Sequence, residues 1–105
     1  MKNEALTYFE AVPKKHNCAQ SVAAGAGRED LLPELASCGG GRAPEGLCGA
    51  LYALLKLAPE SAHDRLRRAF AAQAGALTCR EIKTGSGFPC RECVRLAAEL
   101  SEEFL

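Results

Sequence analysis

The stretch Leu47–Ala58, LCGALYALLKLA, is apolar around nearly its whole circumference, and Lys56 is its one charge. A helix that is hydrophobic on all sides belongs in an interior. The segment is therefore expected to be the central buried helix, closed by Pro59, which cannot continue it. Its neighbours must then be helices that cover it. Upstream, Ala5, Leu6, Phe9 and Val12 recur at helical spacing until Pro13 and the lysines that follow. NCAQSVAAGAG begins a second helix, which Gly25 and Gly27 are expected to stop, and EDLLPELA gives a short piece interrupted by Pro33. Downstream, SAHDRLRRAFAAQAG reads as an amphipathic helix with Leu66, Ala69, Phe70 and Gln73 near one stripe. TCREI opens a short helix that KTGSGFP terminates. The last helix runs from Cys90 to about Phe104, with Val94, Ala97, Leu100 and Phe104 on one face. Strand alternation and Asn-Gly hairpins are missing from the sequence. The expected fold is all-α: one compact domain over residues 1–105, a bundle of about five to six helices with a glycine-rich loop before the central one.

Composition narrows the function. A chain of 105 residues is one domain with a modest core. Thirteen acidic and thirteen basic residues cancel, so no global field points to nucleic acid or a membrane surface. The start MKNEALTYFEAVPKK has no apolar signal-peptide region, and no run approaches the length of a membrane span. These features predict a soluble, cytoplasmic protein without membrane insertion. Six cysteines in a reducing compartment then indicate metal binding or redox chemistry rather than a disulfide scaffold.

The cysteines fall at predicted helix starts. Asn17 is a good N-cap with Gln20 three residues on, which puts Cys18 at the first helical position. Thr78 and Glu81 form the same kind of box around Cys79. Pro89 suits a helix start, so Cys90 falls in the first turn of the last helix, and Cys48 opens the central one. Helix N-termini favour thiolate, the form that attacks disulfides and binds metals. If the four ends converge, they supply four sulfur ligands and free N–H donors, which an iron–sulfur cluster uses. Arg42, Arg80 and Arg91 stand beside these positions and could offset the charge of four thiolates. Against this, each cysteine taken alone is a small hydrophobe often buried for packing. Cys90 and Cys93 make one C-x-x-C, a nucleophile with its resolving partner, although Cys93 lies on the apolar stripe and reads slightly better as core. No second C-x-x-C completes a zinc ribbon. His16, after Lys14 and Lys15, and His63, beside Asp64, read as surface residues. Gly39–Gly41 is neither a P-loop nor a dinucleotide fingerprint. No acid–base pair or G-x-S-x-G elbow stands out, so no catalysed reaction is assigned.

NCAQSV, GGG, CGAL, the lone cysteine of TCREI and CRECVRLAAEL, in that order over nearly the whole chain, resemble the C_GCAxxG_C_C family of small redox-active proteins. The resemblance implies four signature cysteines: Cys18, Cys48, Cys79, and Cys90 four residues before Val94. Ala53 replaces a family glycine, while Cys38 and Cys93 are additional to the signature.

The leading expectation is an electron-transfer protein. Cys18, Cys48, Cys79 and Cys90 would ligate an iron–sulfur cluster, [2Fe–2S] foremost, with Gly39, Gly40, Gly41 and Gly49 bringing backbone N–H groups close. The alternatives are a metal-free thiol–disulfide oxidoreductase or redox sensor using Cys90 and Cys93, and a structural zinc site. A redox partner protein is expected, with a homodimer as a further candidate assembly and no role for nucleic acid.

Overall fold

The computed structural model describes residues 2–10, 16–38 and 46–104, with the side chains of residues 2–4, 86, 90 and 104 left aside. Its helices are α1 (Lys2–Glu10), α2 (Cys18–Gly25), α3 (Leu32–Leu35), α4 (Gly49–Leu57), α5 (His63–Ala74), α6 (Cys79–Glu81) and α7 (Cys90–Phe104). Short 3₁₀ turns at Glu29–Leu31 and Glu60–Ala62 lead into α3 and α5, and a π-helical turn, Ile82–Ser86, extends α6. Among the described residues there is no strand, only an isolated bridge between Leu47 and Thr78. The protein is a compact, all-α single domain with a Cα radius of gyration of 12.0 Å. Helix α4 sits between α2 and α7, α1 lies across α2 and α7, and α5 packs on α7 and α4. Leu51, Ala53 and Leu54 of α4 have no exposure at all, as expected of a segment apolar on every side. None of the described helices is long and apolar enough to cross a membrane.

Several local expectations change. Gly25 lies inside α2 rather than beyond it, and a Cβ there would come within 2.8 Å of the Ala5 backbone. Its absent side chain lets α1 and α2 touch backbone to backbone, and the chain reverses only at Ala26 and Gly27. On α5 the buried stripe is Leu66, Phe70 and Ala74, spaced by four; Gln73, one position off it, keeps its amide in water. KTGSGFP does not end the helix at once. The wider π turn carries it through Ser86, and the Gly87 N–H donates to the Ile82 carbonyl at 2.8 Å. His63 also leaves the role of a solvated surface residue. Its Nε2 lies 2.7 Å from the Leu55 carbonyl and 3.3 Å from that of Ala58, closing the open end of α4. Val12, Pro13, Lys14, Lys15, Gly39, Gly40, Gly41 and Arg42 lie outside the described residues.

Candidate functional site: a cleft lined by cysteines

The N-terminus of α2 is fixed by reciprocal bonds. Asn17 Oδ1 accepts the Gln20 N–H at 2.8 Å, and the Asn17 N–H donates to Gln20 Oε1 at 3.1 Å. Both side chains then reach α3: Asn17 Nδ2 donates to the Leu35 and Ala36 carbonyls, and Gln20 Nε2 to that of Leu32. This double capping box sets Cys18 at the first position of α2. Its sulfur lies 2.7 Å from where a Cβ on Gly49 would stand, and the Cys38 carbonyl oxygen 2.6 Å from the same point. Gly49 is therefore glycine because a sulfur and a carbonyl occupy the place of its side chain.

Cys48 is the residue immediately before α4, the N-cap rather than the first helical residue. Its N–H donates to the Leu77 carbonyl at 2.9 Å, and Leu47 bridges Thr78. This two-point clasp lays the start of α4 beside the start of α6, so Cys48 and Cys79 become neighbours across 31 residues of sequence. Thr78 Oγ1 accepts the Glu81 N–H at 3.2 Å and caps α6 behind Cys79. Cys93 comes from α7, one turn past its start, and is 3% exposed.

Four cysteines from four helix beginnings, Cys18, Cys48, Cys79 and Cys93, line one cleft of about 20 Å³, room for about one water. Among the described residues Gly49, Ile82, Lys83 and Phe88 also line it. The Cys48 thiol is pulled down to about 7, first by the Cys93 thiol, which lies within hydrogen-bonding reach of its sulfur. Burial works the other way, while the Leu51 and Ala50 N–H groups of the first turn of α4 and the Lys83 ammonium add to the lowering. The two N–H groups face the sulfur without closing a formed cap bond. Near neutral pH, Cys48 is accordingly poised between thiol and thiolate with a second thiol against it.

The remaining sequence candidates are placed as follows. Cys90 opens α7, with its side chain outside the described residues. Cys38 is buried behind Gly49 and is not among the described residues lining the cleft; its thiol donates to the Glu34 carbonyl at 3.8 Å. Arg91 is held by Glu10 at 2.8 Å and Glu92 at 3.3 Å, and Arg80 is exposed; the cation lining the cleft is Lys83. His16 packs edge-on against Tyr8, ring centroids 5.1 Å apart. Among the described residues no three His, Cys, Asp or Glu side chains converge closely enough to hold one metal ion. Cys93 was marked by its i,i+3 spacing from Cys90 as a resolving thiol, although the apolar stripe favoured a core role for it, whereas nothing in KTGS marked Lys83.

Comparison of the chain with known protein families, with curated proteins and with solved structures finds no match.

Proposed function

We propose that the chain is a redox-active thiol protein whose working pair is Cys48 and Cys93. One observation carries the reading: the buried Cys48 and Cys93, from the starts of different helices, line one cleft, where the Cys93 thiol is the first influence drawing Cys48 down to about 7. Such a pair exchanges with a disulfide. Two electrons and two protons pass from the two thiols to an acceptor disulfide, which becomes two thiols, while a Cys48–Cys93 bond forms. The pairing runs across α4 and α7 rather than within the C-x-x-C of α7. The resemblance of the cysteine motifs to the C_GCAxxG_C_C family supports the same class of chemistry. A reducing, cytoplasmic compartment and a redox partner protein are the proposed setting, in which the dithiol is the resting form.

The test is differential alkylation and mass spectrometry across glutathione buffers of graded potential. Reversible loss of two alkylation sites, mapped to Cys48 and Cys93, is the expected result. Absence of any intramolecular pairing across the range rules the reading out.

A second reading, an iron–sulfur cluster such as [2Fe–2S] or a zinc ion, has one observation in its favour: the soft donors Cys18, Cys48, Cys79 and Cys93 share one cleft. The donor chemistry suits either group, and because no three donors converge on one point among the described residues, the sulfurs would draw together on binding. Iron, zinc and acid-labile sulfide assays on anaerobically purified protein distinguish the two readings.

A further inference from the structure

The exposure of the four sulfurs is graded. Cys48 and Cys93 are 5% and 3% exposed, too enclosed for a bulky disulfide to reach in line, whereas Cys18 and Cys79 are half-buried. The two half-buried thiols differ in surroundings. The Cys18 sulfur is wedged against Gly49, between α2 and α4. Cys79 lies on the short α6, next to exposed Arg80 and followed by Lys83, and the Leu77–Cys48 bond and the Leu47–Thr78 bridge hold its segment against the buried pair. All four residues line one cleft with room for about one water.

We propose that Cys79 is the entry thiol of the site, accepting a bulky, anionic disulfide of the glutathione class and passing the oxidation inward to Cys48 and Cys93. This rests on the dithiol function proposed above. In the first step the Cys79 thiolate attacks one sulfur of the incoming disulfide, forming a mixed disulfide and releasing one thiolate, which takes up a proton. The Cys48 thiolate then attacks the Cys79 sulfur. A Cys48–Cys79 bond forms, and the second half of the substrate leaves as a thiol. Cys93 gives up its proton and attacks Cys48, so that the Cys48–Cys93 bond forms and Cys79 leaves as thiolate. Over this single turnover one disulfide is reduced to two thiols and one protein dithiol becomes a disulfide. Lys83 and Arg80 beside the entry suit the carboxylates of such a substrate.

Rapid acid quenching and mass spectrometry of the full chain test the order of events, with glutathione disulfide as the bulky probe and diamide as the small oxidant. Cys79→Ser is expected to slow formation of the Cys48–Cys93 bond by glutathione disulfide at least ~10-fold, consistent with loss of the accessible thiolate, and to leave oxidation by diamide near the wild-type rate. Cys93→Ser is expected to accumulate a Cys48–Cys79 disulfide with glutathione released. Unchanged oxidation of Cys79→Ser by glutathione disulfide, or glutathione retained on Cys48 or Cys18 in Cys93→Ser, overturns the entry role while leaving the dithiol intact. If diamide forms no Cys48–Cys93 bond even in the wild type, the underlying dithiol reading fails, and the entry role with it.

Discussion

The cleft has two unlike walls. Cys48, Gly49 and Cys93 stand on α4 and α7, helices of nine and fifteen residues whose neighbours are buried on several sides. Cys79 and Lys83 stand on a three-residue helix and one π turn, joined to the core chiefly through Ile82, which is 2% exposed. One wall is tightly packed and shielded, so it can set the titration and pairing of its sulfurs. The other is thin and wet, so it can meet a partner. Burial and access pull in opposite directions for a reactive thiol, and this arrangement divides them between residues.

Substitutions on each wall make the contrast measurable. The largest expected effect is Gly49→Ala. Its new methyl overlaps the Cys38 carbonyl and the Cys18 sulfur, and overpacking of this kind costs about 1–3 kcal/mol, read as a lower urea midpoint at constant slope. An unchanged midpoint means that α2 and α4 are free to slide apart.

Next comes pH. Cys48 titrates lower in the folded chain, at about 7, than an unfolded cysteine at ~8.5. Its ionisation therefore adds stability that is complete above the unfolded value and disappears as pH falls through about 7. In reductant, the stability difference between wild type and Cys48→Ala should shift in favour of wild type as pH rises from 6 to 9. A difference that stays flat with pH contradicts the thiolate environment described here.

Lys83→Gln tests the outer wall. Removing that ammonium should move the alkylation midpoint of Cys48 upward, by less than Cys93→Ala does, because the neighbouring thiol is the larger influence. The reverse order would place the control of Cys48 on the outer wall. The smallest effect is expected from Gly85→Ala, in the π turn, where a Cβ meets nothing within 4 Å. Its stability should stay within about 0.5 kcal/mol of wild type by thermal melting, as for other open surface positions.

The fold was legible where one residue type had one use. LCGALYALLKLA could only be a buried helix, and Asn17 with Gln20 could only begin one. Legibility failed where tertiary contact decided. Gly25 reads as a stop signal, yet it serves a helix crossing whose partner, Ala5, is 20 residues away. Gln73 and Ala74 are both compatible with the α5 stripe until α7 selects one. In the site, the helix starts were readable, but the meeting of Cys48 with Cys93 depends on how α4 crosses α7, which no local spacing encodes. Lys83 was hidden because its turn closes i→i+5 rather than i→i+4 hydrogen bonds, which shifts which side chains face inward.

Asn17 illustrates how narrow the choice of amino acid can be. Serine, threonine or aspartate would cap α2 about as well. Only the amide also presents two N–H donors, one for each of the Leu35 and Ala36 carbonyls, at 2.9 and 3.1 Å. A carboxylate in its place, as in Asn17→Asp, would keep the cap but turn a donor into a negative charge facing two carbonyl oxygens. The one side chain thus fastens two elements at once, and that substitution should loosen the α2–α3 junction while leaving each helix intact.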